Sequence, residues 1–193
     1  MLLSGRPAGQ RAVVAIDGRS SSGKTTLAHR MAGVKPRAAV VHTDDVAWWH
    51  SRFDWAQLLL DGIIEPFQAG QQVVFRPPAW KERGREGAIN VDPESSVLIV
   101  EGVGCSRPEV ARWWEASVWV QSGRERPRQA QRRPDRIRRD DLRRCGGLDE
   151  RGVALSAADR PWERAAKIVA GTPEVRYDEV AEVLVASPFP QGE

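Results

Sequence analysis

Short, wholly apolar runs alternate along the chain with stretches whose apolar residues fall at helical intervals. Residues 13–16 (VVAI) are bounded by turn formers, as a buried parallel strand should be, and residues 25–31 follow with helix-compatible spacing. Residues 38–42 (AAVVH) read as a second buried strand that ends at Thr43-Asp44-Asp45. Residues 55–68 carry Leu58, Leu59, Ile63 and Phe67 at helical spacing, and Pro66 is expected to end or kink that helix. Two short strand candidates, residues 72–75 and 88–91, flank the polar connection PPAWKERGREG, which predicts a hairpin or projecting flap over about residues 76–90. Residues 97–100 (VLIV) form the most apolar strand and lead directly into Glu101-Gly102. A helix over residues 110–114 and strands over 117–120 and 166–169 complete the pattern, with the loop AGTPE after the last.

Strands and helices in this alternation imply an α/β fold with a mostly parallel sheet and helices on both faces. Ligands of such a sheet gather at the carboxyl ends of its strands. With 193 residues, the chain is expected to be one domain spanning residues 1–193. No apolar run approaches the ~20 residues that cross a bilayer. The first apolar stretch runs into a glycine-rich loop instead of a cleavage site, so the chain reads as cytoplasmic and without a membrane partner. Cys105 and Cys145 are too few for a disulfide framework and have no metal-ligand spacing.

The net charge is a modest +3, but nearly all of the positive charge is arginine, with lysine only at Lys24, Lys35, Lys81 and Lys167. Ten arginines lie between Arg124 and Arg144, against Glu125, Asp135, Asp140 and Asp141. This segment is polar and helix-like, broken by Pro127, Pro134 and Gly146-Gly147, and predicts a mobile helical lid over about residues 124–151. Such a block binds nucleic acid or closes over a small polyanion; it lacks the interleaved aromatics that stack on bases, which favours the small polyanion.

Gly18-x-x-x-x-Gly23-Lys24-Thr25 is a complete P-loop, in the strand-loop-helix setting that the motif requires. Its glycines let successive backbone amides turn inward on phosphate oxygens at the positive end of a helix. The expected nucleotide-binding residues are Gly18, Ser20, Ser21, Ser22, Gly23, Lys24, Thr25 and Thr26, with Lys24 reaching the terminal phosphates and the Thr25 hydroxyl holding Mg2+. Phosphoryl transfer also needs carboxylates opposite the loop, one for the metal and one to receive the acceptor's proton. Asp44-Asp45 and Glu101 end predicted strands and are the candidates; for Asp45 the alternative is a helix cap.

The series GRSSSGKTT, HTDD, FDW, PPAWKERGREG, VLIVEGVG and the arginine-rich segment after VWVQS resembles the uridine kinase-like branch of the P-loop kinases, the group that includes phosphoribulokinase and pantothenate kinase, over nearly the whole chain. The resemblance implies a three-layer P-loop NTPase fold and a kinase using ATP and Mg2+. It implies Asp44 as general base, with Thr25, Asp44 and Glu101 at the metal. It also implies phosphate contacts from lid arginines among Arg128, Arg132, Arg133 and Arg136, with Arg132 and Arg133 catalytic and Arg128 on the nucleotide. The acceptor pocket would draw on Asp45, Trp49, Asp54, Trp80 and Arg83, where Arg83 replaces the histidine that the family pattern leads one to expect.

The function expected from the sequence is therefore transfer of the γ-phosphoryl of ATP to a hydroxyl on a small-molecule acceptor, first a uridine- or cytidine-like nucleoside. A sugar, vitamin precursor or specialised metabolite is the alternative acceptor. A nucleotide-dependent regulatory or RNA-binding protein is the reading from another class, and a homo-oligomer stays open.

Overall fold

A computed structural model of the chain describes residues 10–50, 54–122, 160–171, 173, 175–178 and 182–185. Its centre is a five-stranded, wholly parallel sheet. The strands are β1 (Ala12–Gly18), β2 (Ala38–His42), β5 (Val97–Glu101), β6 (Ala116–Gln121) and β7 (Lys167–Ala170), in the order β2-β5-β1-β6-β7. All seven residues of β1 and all five of β5 are buried, which explains why both read as unbroken apolar runs instead of alternating ones.

Successive side chains of each strand point to opposite faces, and two cores result. Val13, Ala15, Leu98 and Val100 face the helical segment after β2, where Trp55, Leu59, Ile63, Ile64 and Phe67 are fully buried or nearly so. Val14, Ile16, Val97, Ile99, Val118 and Val120 face helix α1 (Lys24–Val34) through Leu27 and Ala28. Helical layers therefore cover both faces.

The helix expected around residues 55–68 runs without ending at Pro66. It is α3 (Ala56–Leu59), a π turn over Leu60–Ile64, then α4 (Glu65–Gln68), with Pro66 in the first turn of the last piece. A proline inside an α-helix lacks an N–H and clashes with the carbonyl four residues back; the wider turn just before Pro66 absorbs that misfit.

The flap strands are present as an antiparallel pair, β3 (Val73–Phe75) and β4 (Ile89–Val91), with Val73 opposite Val91 and Phe75 opposite Ile89. Between them lies a short helix, α5 (Pro78–Glu82), instead of an open loop; Pro77-Pro78 presets its first turn. Two further short helices begin at prolines: α6 (Pro108–Ala111), starting before the predicted 110–114, and α7 (Pro161–Arg164), which leads into β7. The four-residue helix α2 (Thr43–Val46) carries the acid pair directly after β2. The predicted lid over 124–151 lies outside the described residues.

Candidate active site

The P-loop opens where β1 ends. Gly23, at φ +98°, adopts a left-handed conformation that only glycine takes up easily, and it turns the chain into α1 at Lys24. The first turn of α1 contains no acidic residue, so nothing on the helix itself neutralises the positive potential of its free amides. Lys24 is 8% exposed and its Nζ donates to the Arg19 carbonyl at 2.7 Å, which keeps the ammonium within the loop. Ser20, Ser21 and Thr26 are exposed, whereas Ser22 is buried and its hydroxyl has no partner among the described residues. Gly171, after β7, packs against the loop so closely that a Cβ there would lie 1.8 Å from the Ser22 carbonyl oxygen.

Asp17 fixes this loop to the next one. Its buried carboxylate accepts from the Gly18 amide at 2.7 Å and the Gly104 amide at 2.9 Å through Oδ1. Through Oδ2 it accepts from the Ser106 amide at 2.9 Å and the Ser106 hydroxyl at 2.6 Å. Four donors satisfy a buried charge, and the result is a rigid link between the start of the P-loop and the segment that follows Glu101.

Glu101, 6% exposed, brings three elements together. Its Oε1 accepts from the Thr25 hydroxyl at 2.9 Å and lies 2.5 Å from His42 Nδ1 at the end of the neighbouring strand, where His42 is its register partner. An ionised carboxylate only accepts, so Nδ1 carries the hydrogen. Burial pushes the Glu101 carboxyl up, but hydrogen bonds from His42 and Thr25 and the positive charges of His42 and Lys24 outweigh it and hold the group below the ordinary glutamate range.

Asp44 behaves in the opposite way. Asp44 is exposed, yet enough protein surrounds its carboxyl to disfavour the charge. Burial and the charges of Glu101 and Asp45 raise its pKa, against the lowering pull of Lys24 and His42. Thr25, Glu101 and Asp44 form an all-oxygen donor set, which suits Mg2+, an ion that usually takes one or two carboxylates together with water and substrate phosphates. No group of three or more His, Cys, Asp or Glu side chains able to hold a metal occurs among the described residues.

On the other side of Asp44 the flap folds over α2. Arg85 Nη2 donates to Asp45 Oδ1 at 2.6 Å and its guanidinium lies 3.5 Å from the centre of the Trp80 ring. Trp80 is 5% exposed and its indole N–H donates to the Asp45 carbonyl at 2.9 Å. Trp80 and Asp45 are thus partners of each other and of Arg85. Trp49 is 39% exposed, with Arg83 stacked on its ring at 3.8 Å. The Asp54 side chain is 83% exposed, with His50 Nε2 3.9 Å from its Oδ2. Arg128, Arg132, Arg133 and Arg136 lie outside the described residues.

The structure also gives places to Asp17 and His42, which the motif reading passed over. The signal for both was positional: each is a polar residue at or next to the carboxyl end of an otherwise apolar strand, directly before a loop that carries the chemistry.

No family model matches the sequence, and no curated protein matches it. Among solved structures the chain is similar to a possible uridine kinase from Bacillus stearothermophilus, at 19% identity and a TM-score of 0.55, covering 85% of this chain and 91% of that one. It is also similar to a protein described as a putative fructose transport system kinase from Silicibacter sp. TM1040, at 21% identity and a TM-score of 0.43, covering 85% of this chain and 89% of that one. At these identities the likeness is one of fold: the chain has the α/β fold of the P-loop kinases. No helix among the described residues is long and apolar enough to cross a membrane.

Proposed function

We propose that the chain is an ATP- and Mg2+-dependent kinase that phosphorylates a hydroxyl of a small acceptor. The observation that carries this reading is the meeting of Lys24, Thr25, Glu101 and Asp44 at one edge of the sheet, where the two carboxyl groups are shifted in opposite directions. Glu101, held ionised by His42 and Thr25, suits a metal. Asp44, exposed and with its pKa raised above the ordinary aspartate value, suits a base.

In this mechanism the inward amides of the P-loop and Lys24 hold the β and γ phosphates. Mg2+, held through Thr25, Glu101 and Asp44, would offset the negative charge of the phosphoryl oxygens. Asp44 takes the proton of the acceptor hydroxyl as the new O–P bond forms and the bond to the β-phosphate oxygen breaks, releasing ADP. Positioning and charge neutralisation account for most of the rate.

A non-nucleoside alcohol fits the flap better than a nucleoside does. Trp80, the flap aromatic that would stack a nucleobase, is buried with Arg85 over its ring and its N–H bonded to Asp45. The test is transfer of label from ATP carrying a radioactive γ-phosphate, with Mg2+ and a panel of sugars, hydroxy acids, phosphorylated polyols and nucleosides. Label on an acceptor supports the kinase. Label only in inorganic phosphate, at a rate indifferent to every acceptor, supports a nucleotide-dependent regulatory protein instead.

A further inference from the structure

Three arginines of the flap region stand in different electrostatic circumstances. Arg85 is neutralised by Asp45 at 2.6 Å. Arg76 donates through Nη2 to the Arg85 carbonyl at 2.6 Å, while its Nε is buried and without a partner among the described residues. Arg83 is exposed and its guanidinium stacks on Trp49 at 3.8 Å; among the described residues it forms no ion pair, not even with the neighbouring flap acids Glu82 and Glu86. Stacking occupies the face of a guanidinium and leaves its in-plane N–H donors free, in a fixed orientation.

Trp49 supports the same point independently. It sits at φ +57°, a left-handed conformation that is a genuine outlier for a bulky residue and that persists where the surroundings impose it. The strained position is four residues beyond Asp45 and five beyond the proposed base, on the side of α2 that the flap covers. A cation is thereby braced on the flap side of α2, with no protein anion paired to it among the described residues.

We infer that the acceptor carries an anionic group, a phosphate or a carboxylate, and that Arg83, braced on Trp49, binds it while Asp44 faces the hydroxyl to be phosphorylated. This rests on the kinase reading. Planar, bidentate recognition of an oxyanion is what a stacked guanidinium does best, and a lysine cannot reproduce it. Trp49 then acts as a positioning residue that fixes the plane of Arg83.

The experiment uses the full chain with ATP and Mg2+ and reads acceptor-dependent ADP release for matched sets: glycerol, glycerate and glycerol 3-phosphate; ribose, ribonate and ribose 5-phosphate; and uridine as a neutral nucleoside. A charged member is expected to exceed its neutral counterpart at least tenfold in kcat/KM, and carboxylate against phosphate identifies the anion. Arg83→Gln is expected to raise KM for the charged acceptor about tenfold with kcat little changed, leaving the neutral counterpart unmoved; Arg83→Lys recovers only part of the loss. Arg83 is exposed, so these variants should fold. Neutral acceptors turned over as well as charged ones, or an Arg83→Gln effect equal on both, overturns the anionic acceptor while leaving the kinase intact. No acceptor-dependent release from any compound overturns the kinase reading, and this inference with it.

Discussion

The imidazole of His42 and the carboxylate of Glu101 face each other from adjacent parallel strands, with Nδ1 2.5 Å from Oε1. The contact joins the strand that leads to the proposed base with the strand that ends in the proposed metal carboxylate. It aims Glu101 at Thr25 and keeps it ionised despite burial.

Removing that hydrogen bond should therefore weaken the metal more than the nucleotide. In His42→Ala the Mg2+ concentration for half-maximal activity is expected to rise about tenfold, the usual scale for a partner that orients a metal ligand. His42→Asn, which can place an N–H near the same position, should recover part of it. A Mg2+ titration at saturating ATP checks this, with binding of metal-free ATP as the control that stays nearly constant.

The titration of Asp44 should be legible in the metal-free protein. Its pKa is raised above the ordinary 3.8 by burial and by the Glu101 charge. Followed by NMR without Mg2+, the Asp44 carboxyl should lose its proton at a higher pH than an unperturbed aspartate, and Glu101→Gln, which removes a negative neighbour, should move that step toward lower pH. Added Mg2+, a positive charge at the same carboxyl, should lower it as well.

Trp80 should matter more to stability than to acceptor binding. Truncating a buried tryptophan costs about 3–5 kcal/mol, and Trp80→Ala also strips Arg85 of its stacking partner and the Asp45 carbonyl of its donor. Denaturant unfolding should show a loss of that size. Trp80→Phe, which keeps an aromatic ring and loses the indole N–H, should cost about 1 kcal/mol and leave the acceptor KM within about twofold, as expected of a residue that does not touch it.

Gly171→Ala tests the seam between β7 and the P-loop. The new methyl would meet a backbone carbonyl, that of Ser22, which cannot rotate away as a side chain could. Overpacking of this kind costs about 1–3 kcal/mol. Because the loop itself must yield, ATP affinity, read by calorimetric titration, should fall at least several-fold.

Strands β1 and β5 were legible because both are short, apolar and buried along their whole length, and residues 38–42 matched β2 at both ends although only Val41 of that strand is buried. The P-loop and the acids ending β2 and β5 were legible because strand ends in a parallel sheet form its binding edge. Helix α5 was hidden: five residues that begin at the second of two prolines carry too little periodicity to register, and only the folded chain brings Trp80 onto the Asp45 carbonyl. Asp17 escaped notice for the opposite reason. It sits inside a recognisable motif but serves Gly104 and Ser106, 87 and 89 residues away, contacts that no local pattern encodes.

Asp44→Asn, measured for ATP affinity and for γ-phosphoryl transfer to the best acceptor found, probes the proposed role of Asp44 as acceptor of the hydroxyl proton opposite a nucleotide held by the P-loop. ATP binding is expected within a few-fold of the unaltered protein, with a transfer rate lower by about 10²–10⁴. Transfer at an unchanged rate would show that Asp44 is not the base.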